Sequence, residues 1–302
     1  MKPLALIVTG PTASGKTGMA IELARHFNTE IVSADSRQIF KDIPIGTAAP
    51  TEEERSRAVH HLVGILPLDA YYSAARFETE ALALLREIWK KSPVAIVCGG
   101  SMMYVDALTD GIDEMPDVSA GTRSYVLSLL NNNGLEAVLA QLRICDPDYY
   151  AQVDRANTRR IVHALEICLE AGVPYSTFRT GEKKERDFDI LKIAIDMPRD
   201  QLFARINARV DAMIASGLED EARRAFAKGN FNSLNTVGYK ELRAYFDGIM
   251  DRDTAIARIA KNTRVYAKKQ LTWLKKDQSV HWVHSVSEAI DLTEDRIKNA
   301  TP

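Results

Sequence analysis

Cysteine is scarce in this chain: Cys98, Cys145 and Cys168 are the three in 302 residues, and no two stand in a C-x-x-C spacing. That excludes a zinc ribbon or a disulfide framework and points to a reducing cytoplasm. Long hydrophobic runs are missing too. No stretch approaches the ~20 apolar residues needed to span a bilayer, so no membrane partner is expected. The opening residues lead into a strand-like run without a signal-peptide pattern. There is no internal repeat and no low-complexity segment. Charge of one sign is also lacking: 39 Lys and Arg against 41 Asp and Glu leave a net charge of −2. The protein is therefore not coated in positive potential. What remains is a globular composition, 46% hydrophobic and 26% charged, long enough for one large domain or two smaller ones. Nothing in it demands more than a monomer.

Against that plain background one segment stands out. Gly10, Pro11, Thr12, Ala13, Ser14, Gly15, Lys16 and Thr17 fit the phosphate-loop pattern G-x-x-x-x-G-K-[ST]. An apolar run, Leu4 to Thr9, precedes them and a helical pattern, Gly18 to Phe27, follows. This strand–loop–helix setting is the context the motif requires. Its glycines let the backbone curl until successive N–H groups point inward, and the helix N-terminus adds positive potential. Lys16 would reach terminal phosphates, and the Thr17 hydroxyl would meet Mg²⁺. The motif does not say which phosphate compound is bound.

Strand-like segments at Leu4–Thr9, Glu30–Ser33 and Val94–Cys98 are short, apolar and β-branched, with a long helical pattern, Ser73 to Lys90, between the last two. The alternation predicts an α/β fold: a P-loop kinase-like parallel sheet core covered by helices. Near Gly111 the character changes, and helical patterns dominate from Thr122 to Leu169. A returning strand, Ile190–Asp196, then resumes the core. The expected organisation is a core of 1–113 and 188–302 carrying a helical insertion domain, 114–187, from about Glu114 to Asp187. Beyond Pro198 the chain reads as helical through Lys276, with a break around Gly229–Asn235. A last strand, Val280–Val283, precedes an amphipathic helix.

Several groups could carry chemistry. Asp35 lies just past the second strand, at the sheet edge where ligands bind. By position alone it could serve as a general base, hold Mg²⁺ through water, or cap the next helix with Ser36. Gly99-Gly100 ends another strand and brings Ser101 to the same edge as Thr12 and Asp35. Arg205 and Arg209, four apart, share a helix face and could clamp a phosphate or simply lie on the surface. Adjacent His60 and His61 point to opposite faces of a strand, so no metal site is expected there. From Thr254 to Lys276, seven basic residues (Arg258, Lys261, Arg264, Lys268, Lys269, Lys275, Lys276) occur with no acidic one. They fall within an arc of about 140° on a helix, a face suited to a nucleic-acid backbone. A small-molecule or nucleotide kinase on the same core remains the alternative.

Taken in order, these segments resemble the tRNA dimethylallyltransferases, also called isopentenyl-tRNA transferases. The resemblance runs from the phosphate loop through Ala34-Asp35-Ser36-Arg37-Gln38, Ile45-Gly46-Thr47-Ala48 and His60-His61-Leu62. It continues in Gly99-Gly100 with Tyr104 and in Arg160 with Ala164-Leu165-Glu166. It ends in Arg205-Ile206-Asn207, Arg209-Val210-Asp211-Ala212-Met213, Val237-Gly238-Tyr239-Lys240-Glu241, and Ala267-Lys268-Lys269-Gln270 with Thr272-Trp273.

The resemblance implies transfer of a five-carbon allyl group from dimethylallyl diphosphate to the exocyclic amine of the adenosine 3′-adjacent to the anticodon in tRNA. It implies that Gly10–Thr17 grips the diphosphate, that Asp35 is the base, and that Thr12, Lys16 and Arg205 assist. It also implies tRNA contacts at Asp35, Ser36, Arg37, Gln38, Ser101, Arg123, Arg159, Arg160, Ile161, Val162 and His163. The compact bacterial form, without a zinc-finger extension, is the form expected. Two departures stand out. Gly99-Gly100-Ser101-Met102-Met103-Tyr104 replaces the usual Gly-Gly-Thr-Gly-Leu-Tyr, and its bulkier methionines stand to reshape the substrate channel. His163 replaces a usual arginine, so a fixed positive contact becomes pH-dependent or vanishes.

Overall fold

Six short segments pair in parallel in one sheet: β1 (Leu4–Thr9), β2 (Ile31–Ser33), β3 (His60–His61), β4 (Val94–Cys98), β5 (Asp189–Ile195) and β6 (Val280–Val283). Their spatial order is β3-β2-β4-β1-β5-β6. The computed structural model describes residues 2–299. Met1 and residues 300–302, included in the expected core range, lie outside the described residues. Every residue of β1 and β4 is buried. Such unbroken apolar runs belong to strands covered on both faces. Val8 lies beside Cys98 and Ile193, and Ser33 beside Cys98. The carboxyl ends of β1, β2 and β4 are therefore level. The chain passes from β1 over β4 to reach β2, so the strand order reverses beside β1, where ligands bind in open α/β sheets.

The chain divides into two compact units, 2–110 with 185–299, and Gly111–Lys184. In the first, α1 (Lys16–His26) buries Met19, Ala20, Ile21, Leu23 and Ala24 against the sheet. Burying such aliphatic side chains is worth about 1.5–3 kcal/mol each. Next come α2 (Pro44–Thr47), α3 (Glu52–Arg57), α4 (Ala74–Ile88) and α5 (Met102–Asp110). Of these, α2, α3 and α5 are additions to the sequence reading. The Thr51 hydroxyl accepts the Glu54 amide at 3.2 Å while the Glu54 carboxylate accepts the Thr51 amide at 2.9 Å. That reciprocal cap explains how so short a helix as α3 begins.

The second unit holds α6 (Ala120–Cys145), α7 (Pro147–Gln152) and α8 (Thr158–Ala171). Gly134, at φ 78°, breaks α6 in the middle. The core of this unit is Val126, Val138, Leu139, Leu142, Tyr149, Ile161, Ala164 and Leu165. Fully buried Asp146 accepts from the Tyr149 amide at 2.9 Å and the Ser176 amide at 2.6 Å. Its charge is thereby compensated by donors rather than left bare.

Beyond β5 the first unit continues with α9 (Arg199–Ala215), α10 (Leu218–Lys228), α11 (Tyr239–Phe246), α12 (Arg252–Leu274) and α13 (Val286–Asn299). The interruption expected near Gly229–Asn235 is present, but two more divide this stretch. Gly217 takes up φ 93° after α9, and Asp251 caps α12 through the Thr254 amide at 2.8 Å. A left-handed glycine ends a helix and an aspartate cap starts one. On β5, buried Lys192 reaches Asp277 at 2.7 Å. Burial pushes the Asp277 carboxyl up, yet bonds from Lys192 and Ser279 outweigh it and hold the pKa at about 2. Among the described residues, no helix is long and apolar enough to cross a membrane.

Candidate active site

The phosphate loop leaves β1 through Gly10 at φ 148°, passes Ala13 at φ 67° and enters α1 through Gly15 at φ 98°. A side chain on Gly10 would place Cβ 2.9 Å from Ser14 Oγ. Ala13 is an alanine in the left-handed region, a conformation costing about 1–2 kcal/mol. Strain of this kind concentrates at functional turns. The Ser14 amide closes the turn onto Pro11 O at 3.2 Å. The amides of Ala13, Gly15, Lys16 and Thr17 find no acceptor among the described residues. Those N–H groups, at a helix N-terminus, form a ready anion cradle. Lys16 Nζ lies 3.5 Å from Pro11 O. Burial lowers the pKa of its ammonium, against the opposing pull of Cys98 and Asp35. The Cys98 thiol beneath is pushed up to about 12 by burial and stays neutral.

Asp35 caps a turn, where the sequence reading offered a helix cap, because no helix starts directly after it. Its Oδ1 accepts the Arg37 amide at 2.9 Å and the Gln38 amide at 3.2 Å. Its Oδ2 takes no hydrogen bond from the described residues, so a single carboxylate is both fixed and available. Gln38 Nε2 donates to Ala48 O at 2.9 Å and Thr47 O at 3.2 Å, tying this turn to the end of α2. Arg37 donates to Asn232 O at 3.1 Å and Ser233 O at 3.2 Å.

The glycine pair after β4 has a steric reason. A Cβ on Gly99 would sit 2.1 Å from Ala34 O, and one on Gly100 would sit 2.3 Å from Gln270 Nε2. That close approach lets Ser101 donate its amide to Ala34 O at 3.2 Å and start α5. Met102 and Met103 do not line the cavity beside them, and Met103 is 66% exposed.

Arg205 and Arg209 share a face of α9, as expected, but differ in environment. Arg205 Nη1 donates to Ser14 O at 3.2 Å from an exposed position. Arg209 donates to the Thr12 hydroxyl, and burial lowers its pKa while Asp35 opposes that shift. Singling out Arg205 thus missed the better-enclosed member. Gln270 was missed as well. Its Oε1 accepts the Thr12 amide at 2.9 Å and its Nε2 donates to Gly100 O at 2.8 Å. The signal was its place on the buried stripe of α12 with Ala255, Ile259, Ala267 and Leu274. On the opposite face, Arg258, Lys261, Lys268 and Lys269 are exposed.

Thr12, Asp35, Ser36, Arg37, Ser101 and Arg209 meet around one cavity of about 350 Å³. Gly46, Thr47, Val210, Met213, Val237, Ile259 and Tyr266 complete much of its lining. Buried Glu221 accepts from Ile45 N and Gly46 N, each at 2.8 Å, and from Tyr239 Oη at 2.5 Å. This anchors the Gly46 wall, where a Cβ would meet Tyr239 Oη at 2.4 Å.

The remaining expected contacts lie in the insertion unit. Arg159 and Arg160 are exposed on the first turn of α8, and Val162 is half-buried. Ile161 is a correction: it is fully buried among Leu142, Tyr149 and Leu165, so its side chain packs the unit and is closed to a ligand. Arg123 Nε and His163 Nδ1 each lie 3.9 Å from the Glu166 carboxylate. Burial, then Arg123, lowers the His163 pKa, which favours the neutral ring and removes the fixed charge an arginine would bring.

A row of unpaired amides at the reversal point of a parallel sheet places this protein in the phosphate-loop α/β class. Comparison narrows the class: residues 38–277 match the family model described as IPP transferase, and the chain belongs to that family. It is 48% identical over 299 residues to tRNA dimethylallyltransferase 1 of Bacteroides thetaiotaomicron, covering 99% of this chain and 97% of that one. It is 49% identical over 279 residues to tRNA dimethylallyltransferase 2 of Parabacteroides distasonis, covering 92% and 93%. Among solved structures, it is similar to the full-length tRNA isopentenylpyrophosphate transferase from Bacillus halodurans. That likeness has a TM-score of 0.70 at 32% identity and covers 99% of this chain and 96% of that one.

Proposed function

We propose that this protein transfers the dimethylallyl group of dimethylallyl diphosphate to the exocyclic amine of the adenosine 3′-adjacent to the anticodon in tRNA, in the cytoplasm. The observation that carries this reading is the cavity in which Thr12, Arg209 and the Asp35 carboxylate face the apolar side chains of Val210, Met213 and Ile259. A kinase has no need of an apolar wall beside its phosphates, whereas an allyl tail does. The names of the relatives support the same reading.

In the reaction the C1–O bond of the allyl diphosphate breaks and its electron pair leaves on diphosphate. The amine lone pair forms the new C–N bond, and the amine proton passes to Asp35. Negative charge grows on the departing oxygens, and preorganised donors facing it give the largest rate gains. The amides of Ala13, Gly15, Lys16 and Thr17, with Lys16, Arg205 and Arg209, fill that role. A carboxylate is far too weak a base for a neutral aromatic amine, but the proton becomes strongly acidic as C–N bonding proceeds. Asp35 then has only to accept it late, within hydrogen-bond reach. Bringing the base into the cavity means unstacking it, at a few kcal/mol, and the exposed lysines and arginines of α12 would hold the backbone around it.

The Thr17 hydroxyl, the second residue of α1, would hold Mg²⁺ together with diphosphate oxygens and water. No group of three His, Cys, Asp or Glu that could cage a metal occurs among the described residues. That donor set fits a hard ion that takes most of its ligands from substrate and solvent. When bound, the ion supplies neutralisation of the leaving diphosphate. The deciding experiment gives the protein unmodified tRNA with labelled dimethylallyl diphosphate, or with γ-labelled ATP. Label from the diphosphate entering tRNA is expected. Phosphorylation from ATP without allyl transfer would overturn the reading.

A further inference from the structure

We infer that Met213 sets the length of the allylic group this protein accepts, an inference that rests on the prenyl-transfer reading above. Helix α9 places three side chains at intervals of four residues along one side. Arg205 touches the phosphate loop at Ser14 O, Arg209 touches the Thr12 hydroxyl, and Met213 lines the cavity. Four residues advance a helix by about 6 Å. The helix is therefore graded along its axis, with phosphate contact first, then the level of Thr12 and Asp35, then an apolar stop. One isoprene unit, extended, spans about 5 Å. A tail whose C1 lies near Thr12 and Asp35 meets Met213 at the end of its first unit.

The neighbouring walls have little freedom to yield. Val210 and Ile259 are each 2% exposed and belong to a packed cluster with Leu218, Tyr239 and Leu242. Close-packed interiors resist such displacement. Met213 differs in being only half-buried at the edge of that cluster. Its unbranched thioether can close on a five-carbon tail, and its removal opens the cavity towards solvent. The cavity, about 350 Å³, must also admit a purine base beside the tail.

The test compares dimethylallyl and geranyl diphosphates as donors to unmodified tRNA. Wild-type protein is expected to use the geranyl compound at least about a hundredfold less well in kcat/KM, given what one misplaced methylene costs in a fitted pocket. Met213→Ala should raise the geranyl-to-dimethylallyl ratio at least about tenfold. Met213→Val reads the same ratio if alanine disturbs folding. Met213→Trp should raise KM for dimethylallyl diphosphate at least about tenfold. A ratio within threefold of wild type in folded Met213→Ala and Met213→Val overturns the inference, as does wild-type protein that uses both donors equally. Absence of dimethylallyl transfer by wild-type protein would instead sink the prenyl-transfer reading itself.

Discussion

Gln270 Oε1 accepts the amide proton of Thr12 at 2.9 Å across 258 positions of sequence. The same side chain holds Gly100 O, so one buried amide fixes both the phosphate loop and the turn after β4. Gln270→Leu strands a donor and an acceptor, at about 1–3 kcal/mol of stability. Gln270→Glu keeps the acceptor for Thr12 but sets a negative charge beside the proposed diphosphate site. Both variants should lose at least about tenfold in kcat/KM for dimethylallyl diphosphate, and both should melt lower than wild type, since the glutamate sets a carboxylate oxygen against Gly100 O. Steady-state kinetics and thermal unfolding together check this, and wild-type kinetics in both would remove Gln270 from the site.

Asp35 has two separable duties, a turn cap through Oδ1 and an open Oδ2. Asn at this position retains the capping oxygen and loses the base. Asp35→Asn is therefore expected to cut kcat by at least about a hundredfold with Tm and tRNA affinity nearly intact, while Asp35→Ala adds a loss of stability. Normal turnover by the asparagine variant would exclude Asp35 as the base.

Arg209, enclosed beside Thr12, should matter more than exposed Arg205. Arg209→Ala is expected to lower kcat/KM about 100-fold or more and Arg205→Ala about tenfold, because a desolvated charge acts with less screening. Lysine at position 209 should recover little, since it lacks the planar fork. Equal losses at the two positions would refute the ranking.

Much of this was legible because its causes are local. The phosphate loop announces itself, the apolar runs Leu4–Thr9 and Val94–Cys98 are strands over those same residues, and so is Val280–Val283. Choosing between Arg205 and Arg209 was beyond sequence, because a helix face does not say which of two positions is covered by another element. Gln270 and Glu221 act through partners far along the chain, and only folding reveals them. The divisions after Ala215 and before Arg252 did carry signals, in Gly217 and in Asp251 with Thr254. The strong helical pattern on either side masks them.

Asp277 gives a pH prediction. Its folded pKa, about 2, lies below the ordinary 3.8. The stability it contributes is therefore complete above about pH 4 and is lost as pH falls towards 2. Asp277→Asn should melt lower than wild type from pH 5 to 7, with the two curves converging near pH 2. A difference that persists undiminished at pH 2 would assign the stability to something other than the Lys192 pair.

The span between Thr12 and Gln270 also has a consequence in time. The loop is synthesised well before its amide partner, which arrives 258 residues later, roughly 15–50 s at ordinary rates of translation. Until residues 189–195 are made, β1 also lacks β5, its neighbour on one side. A nascent chain stopped short of residue 270 carries the whole phosphate motif without the side chain that sets its shape, so the site is completed late in synthesis.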